Sequence, residues 1–334
     1  MIGRRLLGID FGTSEVKIYK NGSGIVLREK NVVAMKGKKE IVAAGNDAFD
    51  MLGKEPEKID VSMPIKNGVI ADIGKMQTLL DGFLKEIFGG RIKNSDYIVA
   101  VPKDITEVEK RAFYEVLQKS SAKIHSLYAV DKPLATALGM DIDIAEARGV
   151  LTVDIGADTT EIAVISLEGV VVSKLLPIGG FKLDSLIQMA VKRKHNLLIG
   201  EKCSERLKIS LASATQSEPE KLRVYGRDVV SGLPGHATVD AELIYNAIKE
   251  QISQILGAIR QILERTPPEI SADILETGIY VSGGSAHIQN LEKRIREDTN
   301  LKVNIVEDAE NVVAKGLGKI IENRKLLRLT KSVR

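Results

Sequence analysis

The apolar and polar positions of the chain fall mostly into short β-type runs and helical stretches, and one arrangement occurs twice. The apolar run Leu151 to Ile155 carries Asp154 and leads through Gly156, Ala157 and Asp158 into Thr159 and Thr160, after which a second run continues to Ser166. That order predicts a hairpin with a polar tip. Leu7 to Tyr19 repeats it around Asp10, Gly12, Thr13 and Ser14. A tight turn of small residues lets backbone N–H groups converge on an anion. An aspartate at the strand end can hold a metal ion beside that anion. Either stretch alone reads as an ordinary hairpin. Two copies, one in each half, predict two related domains facing a cleft able to clamp a nucleotide.

The remaining pattern fits alternating strands and helices. Strands are predicted at Gly24 to Leu27 and Asn31 to Met35, with Arg28-Glu29-Lys30 between them, and at Ile41 to Ala44 after a turn at Gly37-Lys38-Lys39-Glu40. Asn46 is read as the cap of a short helix, Asp47 to Leu52. Residues 32–72 are short and strand-rich, and read as an inserted subdomain. Ile73, Met76, Leu79, Leu80, Phe83, Leu84 and Phe88 share a helical face, and Gly89-Gly90 ends it. Tyr97 to Val101 reads as a buried strand, Thr106-x-x-Glu109 as a capping box, Ile124 to Val130 as a strand, and Pro133 as the start of a small-residue helix. The second half repeats the plan. A strand is predicted at Gly169 to Leu176, then helices from Leu183 and after Gly200, a strand and turn at Lys221 to Ser231, and the longest helix at Ala241 to Glu264. Gly278 to Val281 runs as a strand into Gly283-Gly284-Ser285, a glycine turn suited to close backbone approach to a nucleotide.

At 334 residues the chain has room for two cores. A net charge of +3 gives no argument for nucleic-acid binding. There is no apolar run long enough for a membrane span. Met1 to Arg5 runs into the first strand, so no signal peptide is expected. Cys203 is single, which excludes an internal disulfide and fits a reducing cytosol. The four histidines are scattered, without metal-ligand spacing.

The order of these hairpins and the late glycine turn resembles the actin and 70-kDa heat-shock ATPase superfamily, and within it the MreB family of bacterial actin homologues. The matching stretches are Pro64 to Asp72, Thr159 to Ser166, Asn196 to Glu201, Gly226-Arg227-Asp228 with Gly232-Leu233-Pro234, and Thr266 to Glu269 with Ala272 to Ile274. The resemblance implies an α/β, actin-like fold of two duplicated lobes in four subdomains. On that plan residues 1–31 and 73–145, with 318–334, form subdomain IA, and 32–72 form IB. Residues 146–180 and 241–317 form IIA, and 181–240 form IIB. It further implies ATP and Mg²⁺ in the cleft, with Asp10 and Asp154 holding the metal through water. Gly12, Thr13, Ser14 and Lys17 would meet the phosphates from one side, and Gly156, Ala157, Asp158 and Thr159 from the other. Glu201, Glu205 and Lys208 would line ribose and adenine, with Gly283, Gly284 and Ser285 closing the site. The implied biology is self-assembly into paired protofilaments in the cytoplasm, at the inner face of the membrane, beside cell-wall elongation proteins.

The departures from the family pattern fall on the chemistry. Gly-Gly-Gly is expected where Gly156-Ala157-Asp158 stands. Glu-Glu-Pro is expected where Asp131-Lys132-Pro133 stands, and in the family the second glutamate orients the attacking water. Glu15 stands where the family has Asn. The residues expected around hydrolysis are Asp131, Lys132 and Thr159. Two readings follow: an ATP-binding, polymerising chain that hydrolyses slowly or not at all, or one in which Asp131 or a shifted backbone restores hydrolysis. Ile87, Phe88 and Ile92, near Arg91 and Lys93, are the candidate lipid-inserting loop, the alternative being that Phe88 packs the end of its helix; the basic tail Arg324 to Lys331 reads as solvated, with membrane or partner contact as the lesser reading. The rival functions are an actin-fold small-molecule kinase, a non-polymerising regulatory nucleotide-binding protein, and a chaperone-type ATPase. The last would need a substrate-binding domain after the ATPase.

Overall fold

The structure is a computed structural model and describes residues 5–37, 40–216 and 220–333. Residues 1–4, and Lys38 and Lys39 of the expected turn, lie outside the described residues. The first half contributes β1 (Arg5–Phe11), β2 (Glu15–Lys20), β3 (Gly24–Lys30), β4 (Val33–Lys36), β5 (Glu40–Ala44), α1 (Gly45–Met51) and β6 (Ile59–Ser62). It continues with β7 (Ile65–Lys66), β8 (Val69–Ile70), α2 (Ile73–Ile87), β9 (Ser95–Val101), α3 (Glu107–Lys119), β10 (Ile124–Asp131) and α4 (Lys132–Gly139). The second half contributes β11 (Val150–Ile155), β12 (Thr160–Ser166), β13 (Gly169–Leu176), α5 (Gly180–His195), β14 (Leu197–Leu198), α6 (Glu201–Leu211), β15 (Lys221–Asp228) and β16 (Pro234–Asp240). It ends with α7 (Ala241–Arg265), α8 (Pro268–Thr277), β17 (Ile279–Ser282), α9 (Leu291–Thr299), β18 (Val303–Ile305), α10 (Val312–Glu322) and β19 (Lys331–Ser332).

Two sheets repeat one plan. The first runs β19-β10-β9-β1-β2-β3 and the second β13-β12-β11-β17-β18. In each, a three-strand antiparallel meander joins parallel strands: β1 lies parallel to β9, and β11 parallel to β17. Parallel strands are covered on both faces, so they read as unbroken apolar runs. Accordingly every residue of β11 is buried, as are the last five of β9. The tips joining β1 to β2 and β11 to β12 are the two repeated polar turns. Fully burying each Leu, Ile or Phe of these layers contributes roughly 1.5–3 kcal/mol.

Local signals set most element ends. The Thr106 hydroxyl accepts from the Glu109 N–H while the Glu109 carboxylate returns a bond to Thr106, so the capping box forms. Asp72 and Asp240 cap α2 and α7 through the N–H groups of Lys75 and Leu243. Asn46 does not cap α1; its N–H donates to the Glu29 carboxylate at 2.8 Å, and the helix begins at Gly45. Arg28-Glu29-Lys30 does not interrupt a strand but completes β3. Glu15 of β2 lies opposite Lys30 and accepts from Arg28, so the charges pair across the ladder. The helix expected from Leu183 starts earlier, at Gly180.

α4 and α10 cross with almost no side chain between them. A Cβ on Gly139 would lie 1.8 Å from the Val312 carbonyl oxygen, and one on Gly316 would lie 1.7 Å from that of Ala135. α10 packs on α4 and β1, so the boundary drawn at 317/318 falls inside a single helix.

Two surface segments pack more closely than a lipid loop and a solvated tail would. Ile92 is a buried core residue, and Ile87 and Phe88 are half-buried against the same apolar cluster, so Phe88 packs the end of its helix. The tail is not a solvated appendage. Leu326, Leu327 and Leu329 pack on the core, Arg328 pairs with Glu168, and β19 adds an edge strand beside β10.

Candidate nucleotide site

Both hairpin tips and the late glycine turn line one cleft, together with Asp10, Lys17, Lys30, Lys132, Asp154, Glu205 and Lys208. Gly12, Thr13 and Ser14 form the first wall. Asn31, fully buried, holds this tip: its side-chain amide donates to the Gly12 carbonyl at 2.9 Å and its backbone N–H to that of Ser14 at 2.9 Å. Gly12 admits no side chain, since a Cβ there would meet the Glu15 carbonyl oxygen at 2.5 Å.

The second wall is residues 156–159. The Gly156 N–H donates to the Thr159 carbonyl at 2.9 Å, and the start of α5 packs behind the tip, with the Phe181 N–H donating to the Ala157 carbonyl at 2.7 Å. Asp158, expected to repel a polyanion, accepts a hydrogen bond from the Asn67 N–H in the β7–β8 turn. Gly68 of that turn lies close to Thr159. The small β7–β8 hairpin therefore touches the second tip across the cleft. Gly283 is required where it stands: its φ is +85°, and a Cβ would sit 2.3 Å from the Ile155 carbonyl oxygen. Ser285 donates to the Gly156 carbonyl at 3.3 Å.

Charges are heavily paired. Glu15, the second acid expected to oppose phosphate, bonds Arg28 at 2.7 Å and lies 3.3 Å from both Lys17 and Lys30. Burial raises its pKa, but the Arg28 hydrogen bond and these cations outweigh that and hold it at about 2. Lys208 bonds Asp184 at 2.6 Å and the Gly180 carbonyl at 3.2 Å. Burial nevertheless pushes Asp184 up to about 6, against the pull of Lys208.

Lys132 bonds Asp154 at 2.7 Å. Burial alone would lower its pKa, but Asp154, Glu161 and Asp10 together hold it above the ordinary lysine range. Asp10 is pushed up by burial, against Lys17 and Lys132.

Some assigned residues lie elsewhere. Asp131 is not part of the lining; it bonds Lys103 at 2.6 Å. Glu201, exposed at the start of α6, is also outside the lining. Conversely, Phe181, Ile209 and Glu310 line the cleft without having been singled out. Glu161 sits opposite Asp154 on the hairpin and accepts from the Lys103 N–H at 2.9 Å. Its other oxygen has no hydrogen-bond partner among the described residues, and burial pushes its pKa up to about 7. The available signal was one charge inside the otherwise uncharged strand Thr160 to Ser166.

Lys132 competes for one of the two aspartates to which the resemblance assigns magnesium. Asp154 already accepts from Lys132 on one oxygen and from the Ser282 hydroxyl at 3.1 Å on the other. Among the described residues no three His, Cys, Asp or Glu side chains gather as a cation site.

Comparison with known proteins agrees with this architecture. The family model described as MreB/Mbl protein matches residues 4–329. Cell shape-determining protein Mbl of Bacillus subtilis is 37% identical over 96% of this chain and 96% of its own length. Cell shape-determining protein MreB of Escherichia coli K12 is 38% identical over 95% of this chain and 93% of its own. MreB5 of Spiroplasma citri bound to AMPPNP superposes with a TM-score of 0.90 at 33% identity, covering 97% of this chain and 98% of that one. The fold is the actin-like one, and the chain belongs to the MreB/Mbl family of cell shape-determining proteins.

Proposed function

We propose that the cleft binds an adenine nucleotide and that the nucleotide-bound chain assembles into paired protofilaments that guide cell-wall elongation. The observation that carries this reading is the pair of Asp-x-Gly hairpin tips, from two duplicated sheets, lining one cleft. Tight turns of small residues can converge backbone N–H groups on phosphates. Lys208, Glu205, Phe181 and Ile209 offer a mixed polar and apolar wall for ribose and base. The solved MreB5 of Spiroplasma citri, bound to AMPPNP in one structure and ADP in another, supports the ligand class. Attachment to the inner face of the membrane and contact with wall-elongation proteins rest on family membership; the packing of Ile87, Phe88 and Ile92 on the core argues against segment 87–92 as the lipid contact.

Hydrolysis is slow in this reading. The water-orienting carboxylate of the family is replaced by Lys132, and Asp131 is turned to Lys103. Losing a positioned proton acceptor costs about 10²–10⁴-fold in rate. Electron microscopy and light scattering with and without ATP test the proposal. Filaments that appear only with nucleotide are expected, with phosphate release well below that of relatives carrying the glutamate. A chain that stays monomeric with bound nucleotide refutes the filament reading and favours the regulatory alternative.

A further inference from the structure

Lys132 has no counterpart in the chemistry the family resemblance implies, and its surroundings are specific. Its ammonium bonds Asp154 at 2.7 Å. It also feels the charges of Asp10 and Glu161, which lie on the strands β1 and β12 of the two facing hairpins. Asp10 and Asp154 are the two carboxylates to which the resemblance assigns magnesium. Replacing the family's glutamate by lysine at this position changes the local charge by two units, the charge a magnesium ion would bring. The remaining charged groups around this point are Lys17, which lies beside Asp10, Asp131, which is paired with Lys103, and Glu15, which Arg28, Lys17 and Lys30 neutralise. Asp154 is thus already paired, and a fixed cation stands beside it in the cleft lining.

We infer that Lys132 serves as a built-in countercation, so that this chain binds adenine nucleotide without requiring a divalent metal ion. The inference rests on the cleft being a nucleotide site. The ammonium is tethered, so its position requires no free metal. It pairs with Asp154 and, as a lining residue of the cleft, has further N–H donors to offer a phosphate. A lysine is a compact point charge that binds phosphate well in this way.

The test is calorimetric titration of the full chain with AMPPNP, in excess magnesium and in excess EDTA. Wild type should change affinity by less than about threefold between the two conditions, whereas Lys132→Gln should lose more than about tenfold in EDTA and recover it in magnesium. A wild-type loss of more than about tenfold in EDTA overturns the inference. A second arm needs no nucleotide: thermal melting of both proteins with and without magnesium chloride. Magnesium should leave the wild-type midpoint unmoved and raise that of Lys132→Gln, because removal of the ammonium exposes Asp10 and Asp154 to the ion. A wild type stabilised by magnesium overturns the inference. If AMPPNP binds in neither condition, the nucleotide reading fails, while the melting arm still decides whether Lys132 occupies the metal's place.

Discussion

Replacing Gly316 by alanine sets helix propensity against packing, and the geometry decides the sign. In a helix interior alanine is favoured over glycine by about 1 kcal/mol. At the α4–α10 crossing, however, the new Cβ would stand 1.7 Å from the Ala135 carbonyl oxygen, where ordinary contact begins at 3.4 Å. The obstruction is backbone, with no flexible side chain to swing aside, and Gly139 makes the reciprocal approach to Val312 at 1.8 Å. The helices must separate along the crossing, opening contacts around Ala135, Leu138, Leu317 and Ile320. Overpacking costs about 1–3 kcal/mol, with the upper end expected against backbone. The net effect of Gly316→Ala is therefore a loss of about 2 kcal/mol. Urea unfolding followed by circular dichroism measures it as a lowered midpoint. Gly82→Ala is the control: Gly82 lies exposed in α2, nothing lies within 4 Å of a Cβ there, and stability should rise by up to about 1 kcal/mol. If Gly316→Ala matches or exceeds wild type in stability, the crossing is looser than described and the reasoning is wrong.

Three further outcomes are expected. Glu161 is pushed from an ordinary 4.5 to about 7 in the folded chain. Its contribution is therefore fully present below pH 4.5 and lost as pH rises through 7, up to about 3 kcal/mol at the limit. Glu161→Gln should flatten that part of the stability profile, and a slope unchanged from wild type counts against the assignment. Leu326→Ser with Leu327→Ser should lower stability by about 1–2 kcal/mol, because both side chains pack on the core. Phe88→Ser should also destabilise yet leave liposome pelleting unchanged; reduced pelleting by a folded Phe88→Ser protein would restore the lipid-loop reading.

The two hairpins, the capping box and α7 were legible because each is encoded within a few neighbouring residues. The repeated Asp-x-Gly order also located the cleft. Long-range partners were not legible. Asn31 steadies the first tip from outside its hairpin, Glu310 enters from the far end of the chain, and Asp131 turns away to Lys103. Glycines 139 and 316 looked like ordinary small residues, since the carbonyl that each one faces lies on a distant helix. The tail misled because a basic, leucine-spaced stretch fits solvent exposure and an amphipathic edge equally well. Glu15 and Asp158 looked unfavourable by charge alone, and the structure supplies each with a partner from another segment.

The contact between Asn67 and Asp158 bears on how firmly the two walls are joined. It is one exposed main-chain N–H on one carboxylate, held by a two-residue Asn-Gly turn with φ of +51° and +75°. A bond of that kind contributes on the order of 1 kcal/mol net, and the close approach of Gly68 to Thr159 is the other contact at this point. A ligand spanning both walls adds its own binding energy to the closed form. Ile65 and Ile70 root the hairpin in the first core, so it stands as a fixed arm of the first wall whose weak latch to the second tip a ligand spanning both walls can outweigh.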